Sequence, residues 1–92
     1  MSDVIPYSEY ENLYPETVVI RKEGTFYNVR NNGARVIHAL FDFKGWRTSK
    51  GHPTVGFVTG EIDRVCLALE RNFISHIVIA NNELFRGNNY DV

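Results

Sequence analysis

The sequence predicts an α/β domain, a mixed β-sheet with helices packed on it, and three observations carry that reading. Short runs rich in β-branched and aromatic residues, at 17–21, 25–29, 54–58 and 75–80, have the composition of strands. Segments with apolar residues at helical spacing precede or separate them, at 7–14, at 31–42 and from Glu61 onward. The resulting order is helix, strand, strand, helix, strand, helix, strand. Such interleaving implies a sheet that buries one face against helices.

The elements follow in turn. Tyr7, Tyr10, Leu13 and Tyr14 make the stripe of a short amphipathic helix that Pro15 stops. The stripe reads as a lid on the core. Thr17-Val18-Val19-Ile20-Arg21 is the first strand, and Lys22-Glu23-Gly24 is a turn in which Gly24 is free to take positive φ. Thr25-Phe26-Tyr27-Asn28-Val29 returns as the second strand. Alternation puts Phe26 and Asn28 on one face and Thr25, Tyr27 and Val29 on the other. With Tyr27 and Val29 in the core, Phe26 and Asn28 point outward; the opposite register buries Phe26. Asn31 or Asn32 is placed to cap a helix whose apolar face is Val36, Ile37, Leu40 and Phe41. Residues 44–53 form a polar, basic loop bracketed by glycines, and Thr54 to Val58 a strand. The next helix has Glu61 and Asp63 in its first turn, where the dipole favours them, and buries Ile62, Val65, Cys66 and Leu69. Ser75 to Ala80 is a strand, Asn81-Asn82 a turn, Glu83-Leu84-Phe85 a short edge element and Gly87 to Val92 a loose tail. Val36, Ile37, Leu40, Ile62, Val65, Leu69, Ile77 and Ile79 are expected to form one cluster.

Ninety-two residues make one domain, spanning 1–92. An apolar fraction of 43% supports a packed core rather than disorder. No apolar run approaches the roughly 18 residues of a membrane span. The first residues, Met1-Ser2-Asp3-Val4-Ile5-Pro6, lack the basic and apolar regions of a secretory signal, so a cytoplasmic protein is expected, with no membrane partner. Cys66 is alone, which excludes a disulfide framework within the chain. The scattered His38, His52 and His76 match no metal-ligand spacing, and His38 and His76 read as structural histidines. No phosphate-binding loop and no nucleophile motif is present, so neither catalysis nor a cofactor or metal is expected.

Net charge is −1, against a strong free-standing nucleic-acid binder, yet its distribution is uneven. Asp3, Glu9, Glu11 and Glu16 make the first twenty residues acidic. Arg21, Lys22, Arg30, Arg35, Lys44, Arg47 and Lys50 then face only Glu23 and Asp42 in residues 21–52. That basic middle either forms one face or neutralises the acidic ends within the fold.

The segment Gly24-Thr25-Phe26-Tyr27-Asn28-Val29-Arg30, entered from Tyr14-Pro15 and a strand and followed by a helix, resembles the mismatch-recognition domain of MutS-type DNA repair proteins. The similarity runs from about Tyr14 to Ile79, most of the chain, with the strand-helix-strand end in register. It implies the same mixed sheet and a DNA-binding role. In that family the Phe of a Phe-x-Glu motif wedges beside a mispaired base and the Glu bonds to it. Phe26 fills the Phe position; Asn28 stands where the family has Glu. The ATPase of those proteins is missing here.

The candidate DNA-binding residues are accordingly Phe26 and Asn28, with Arg21, Arg30, Lys44, Arg47 and Lys50 for phosphates and Trp46 for stacking. Each has a structural alternative: Phe26 as core or interface, Trp46 as the anchor of a solvated loop. The function expected is a small binding domain for double-stranded DNA. The alternative is a protein-interaction or accessory module, of the kind found in phages, that keeps the fold and uses its aromatics on a protein partner or on itself.

Overall fold

A computed structural model describes residues 5–88. The elements are α1 (Tyr7–Leu13), β1 (Val18–Glu23), β2 (Phe26–Arg30), α2 (Asn31–Leu40), β3 (Arg47–Ser49), β4 (His52–Val58), a 3-10 turn (Thr59–Glu61), α3 (Ile62–Arg71), β5 (His76–Ala80) and β6 (Glu83–Asn88). The strands form one six-stranded sheet in the order β3-β4-β2-β1-β5-β6. It is mixed: β1 and β5 run parallel, and the other neighbours are antiparallel. The expected α/β class with a mixed sheet is present; the short edge element expected at Glu83-Leu84-Phe85 begins β6, and β3 is a strand beyond the expected elements.

β3 is the first correction. Residues 44–53 are not a loop throughout, because Arg47–Ser49 pairs with His52–Thr54 across a two-residue turn. Lys50 (φ 53) and Gly51 (φ 78) both take the left-handed region, as a tight hairpin turn between right-twisted strands requires. Asn81 and Asn82 do the same between β5 and β6. β6 runs on to Asn88, so Gly87 and Asn88 belong to the sheet and not to a tail. The rest of the expected tail lies outside the described residues. Among the described residues no helix is long and apolar enough to cross a membrane.

Alternation along the strands divides the sheet into two unlike faces. Tyr27 and Val29 are buried while Phe26 is exposed, which settles the register of β2 as expected. The face holding Ile20, Tyr27, Val29, Val55, Phe57 and Val78 packs under α2 and α3 through Ala34, Ile37, Val65, Cys66 and Leu69. Beside it the aromatic rings of Tyr27, Phe57, Phe43 and Phe41 stack in series, at centroid distances of 5.7, 5.2 and 5.0 Å. The Arg64 guanidinium covers the last ring at 4.9 Å. On the opposite face α1 lays Tyr7 and Tyr10 over Val19, Ile77 and Ile79, the lid expected of that helix.

The single cluster expected from Val36 to Ile79 is therefore wrong. Parallel pairing of β1 with β5 puts Ile77 and Ile79 on the α1 side, away from the α2 and α3 core. Leu40 is 37% exposed and leaves the predicted helix face, because the close-packed side of α2 is set by Gly33, Ala34 and Ile37. A Cβ on Gly33 would come within 2.9 Å of Val29 Cγ1 and 3.3 Å of Val18 Cγ1. Neither Asn31 nor Asn32 caps α2; Arg30 is the N-cap, without a side-chain bond, and the Asn31 amide goes to both Glu11 carboxylate oxygens at 3.1 and 3.0 Å. His76 is fully buried, its Nδ1 3.0 Å from the Ile74 carbonyl oxygen, as expected of a structural histidine. His38 is exposed instead and stacks on Trp46.

Candidate nucleic-acid interface

α1 covers only the β1–β5 half of its sheet face. Over the other half, on β2, β4 and β3, no helix of the described residues lies, and the outward positions alternate with the buried ones in the pattern of a half-wet sheet. The register places Phe26 opposite Val58, Asn28 opposite Gly56 and Arg30 opposite Thr54 on that face, with Arg47 beyond Thr54. Glu23, Asn28, Arg30, Arg47, Lys50, His52 and Thr54 together line one broad, open concavity.

The uncovered half begins where Tyr7 ends the β1–β2 ladder. Its hydroxyl donates to the Val19 carbonyl and accepts the Arg30 N–H at 3.1 Å, bridging two strands that have stopped pairing directly. Burial, foremost, pushes the Tyr7 phenol well above its usual range. The Arg21 and Arg30 guanidiniums sit over its ring at 5.7 and 5.3 Å, a cation–π arrangement that steers both side chains.

The eight residues singled out in the sequence divide by where the fold puts them. Asn28, Arg30, Arg47 and Lys50 meet around the concavity. Phe26 is 49% exposed on the same face, one alternation from Asn28. Arg21 lies deeper: its side chain is 11% exposed, and Nη1 donates to the Ile5 carbonyl at 2.7 Å. Lys44 is exposed in the turn before β3 and outside the concavity. Trp46 packs against the α2 and α3 core and stacks on His38, ring centroids 4.2 Å apart and planes 16° from parallel. Its indole packs at the connection before β3, and Trp46 is not among the residues that line the Asn28 concavity.

Three residues of the site escaped the sequence reading. Glu23 accepts a hydrogen bond from Asn28 Nδ2 at 2.7 Å, with Arg21 Nη2 3.5 Å and Arg30 Nη2 3.9 Å from its carboxylate. The register Glu23↔Phe26 made that neighbourhood deducible once the hairpin was assigned. His52 and Thr54 enter because β3 pairs with the start of β4 in a hairpin, where the sequence predicts a loop over residues 44–53 leading into the strand. Two glycines shape the floor. A Cβ on Gly56 would stand 3.0 Å from Asn28 Oδ1, and a Cβ on Gly45 would run into the Gly56 carbonyl oxygen. Gly45 thus lets the incoming chain lie against β4, and Gly56 leaves room for the Asn28 amide above it.

Among the described residues no group of three or more His, Cys, Asp or Glu side chains is placed to hold a metal ion. Cys66 is buried, and burial, foremost, pushes its thiol up from the ordinary 9.0. No protein-family model matches the chain, and no curated protein matches it in sequence.

Proposed function

We propose that this chain is a non-catalytic DNA-binding domain of the mismatch-recognition kind, and that the uncovered half of its sheet lies against the duplex. One observation carries the reading: Phe26, half-exposed, shares a face with Arg30, Arg47 and Lys50. Arg30 lies four residues along β2, about 13 Å away at the usual strand rise. An aromatic probe and a cationic rim at that separation suit a ring set beside a base and cations set on the backbone. The helix and strand order expected of the family is retained within the larger sheet, which supports the same fold assignment. Asn28, at the family's Glu position, donates to a carboxylate from the neighbouring strand, so an acid still stands beside the probe.

A mispair is cheaper to unstack than a matched pair, and an inserted apolar ring uses that difference. Fluorescence anisotropy with matched and singly mispaired duplexes at about 50 mM salt, where attraction is weakly screened, tests the proposal. The mispaired duplex should bind more tightly, and Phe26→Ala should weaken it selectively by about 1–3 kcal/mol, the worth of one base stacked on an aromatic ring. No binding to either duplex would refute the proposal.

The in-register pair of Phe26 and Val58, both about half-exposed, favours a second reading in which this apolar pair contacts a protein partner or another copy of the chain. In that case Phe26→Ala weakens self-association measured by sedimentation, and DNA binds nowhere on the face.

A further inference from the structure

The most unusual grouping on the uncovered face is an acid among cations. Glu23 ends β1 beside the Gly24 turn, its side chain 38% exposed, and it draws three donors to one point. The Asn28 amide holds one oxygen closely at 2.7 Å, whereas the two guanidiniums stand off at 3.5 and 3.9 Å. Charge-assisted hydrogen bonds close to roughly 2.7–2.9 Å, so a two-oxygen carboxylate leaves both arginines under-engaged. Arg21 needs an anion there: its side chain is nearly buried, and its Nε has no hydrogen-bond partner. A nearly buried cation is costly unless it is paired, and with the Ile5 carbonyl and the Tyr7 ring as its other partners, negative charge at this position is favoured. Asn28 Oδ1 lies over Gly56, where the missing Cβ leaves it room, and its Nδ2 points to the Glu23 carboxylate.

We propose that Arg21, Arg30 and the Asn28 amide form a phosphate subsite that the Glu23 carboxylate fills in the free protein, and that a nucleic-acid phosphodiester binds by displacing it. The proposal rests on the DNA-binding reading of this face and deepens it. The two non-bridging oxygens of a phosphodiester are set tetrahedrally and are not tethered to β1 as the Glu23 carboxylate is, so they can sit at full hydrogen-bond distance from both guanidiniums at once. Arg47 and Lys50 line the same concavity and draw the backbone toward the subsite. Glu23 leaves at little conformational expense, being at a strand end beside a glycine turn. Because the carboxylate competes, a small anion such as inorganic phosphate displaces it only at high concentration, and a ligand with further contacts on the face does so far more readily.

The test uses the full chain, isotopically labelled, with the Asn28 side-chain amide signals as reporter. Inorganic phosphate and, separately, a mispaired duplex should each shift those signals. Glu23→Gln should lower both titration midpoints about tenfold, the scale of one competing charge-assisted hydrogen bond removed. Glu83→Gln, which removes the same charge from the far edge strand, should change them less than about twofold given screening over that distance. Should Glu23→Gln fold poorly, phosphate should raise its melting temperature while leaving that of the parent chain nearly unmoved, and absence of that rescue would overturn the proposal. Equal effects of the two substitutions would overturn it as well. A duplex that binds without moving the Asn28 signals refutes the subsite and leaves the DNA-binding reading intact. A phosphate response without duplex binding supports the subsite and refutes that reading.

Discussion

Tyr7 shows how much one side chain can decide in a chain of this size. Its hydroxyl completes the backbone bonding of Val19 and Arg30 where β1 and β2 part, and its ring seats two arginines. Tyr7→Phe keeps the ring and leaves two backbone groups unsatisfied. It should cost about 1–3 kcal/mol in urea unfolding, the penalty for stranded polar groups. Buried acids also set an alkaline limit. The Cys66 thiol is raised from 9.0 and the Tyr7 phenol from 10.0, both mainly by burial. Groups raised in the folded state stay protonated there while the unfolded chain releases its protons, so stability is complete below the ordinary values and falls as pH rises past them. The urea midpoint should hold up to about pH 8 and decline beyond 9, Cys66 contributing first. Cys66→Ala should remove the first part of that decline; a midpoint that stays level to pH 11 in the parent chain would show the thiol and phenol to be less enclosed than they are here.

At the scale of the element, α2 separates what a sequence displays from what it conceals. Its apolar periodicity was legible, and Val36, Ile37, Leu40 and Phe41 were assigned from it. The packed side, however, is chosen by Gly33 and Ala34, whose smallness lets the helix approach β1 and β2. Counting apolar residues gives such positions no weight. Ile37→Ala should thus cost about 2–5 kcal/mol by denaturant unfolding, and Leu40→Ala less than about 1, the range of a surface change. Comparable losses at both would return the helix to the face its periodicity suggested. The β2 register was readable from alternation alone, and with it the exposure of Phe26 and burial of Tyr27. β3 was not, since three residues, Arg47–Ser49, are too few to show a period and their neighbours are basic and polar. The Lys50-Gly51 turn was its one local signal. Without β3, the meeting of Arg47 and Lys50 with Asn28 and Arg30 could not be foreseen.

Over the whole molecule, a net charge of −1 conceals a division that only the fold creates. The basic middle of the sequence does not become one face. Arg35 lies on the exposed side of α2 and donates to Asn32, on the helix-covered side of the sheet, and Lys44 stands outside the concavity. Arg30, Arg47 and Lys50 gather on the uncovered half. A duplex bound there neutralises about three phosphates, so log affinity against log salt should fall with a slope of about −3, at roughly −0.9 per phosphate. A fourth contact, should Arg21 be released by Glu23, would steepen it toward about −4. Arg47→Ala should reduce the slope by close to one unit and weaken matched and mispaired duplexes alike, because a phosphate contact carries no sequence information. Arg35→Ala, the same charge removed from the other side of the sheet, should leave the slope unchanged. Phe26→Ala should also leave it unchanged while erasing the preference for the mispair, since the ring holds no counterion-releasing charge. If Arg35→Ala and Arg47→Ala altered the slope equally, the attraction would belong to the molecule's overall charge and not to this half of the sheet.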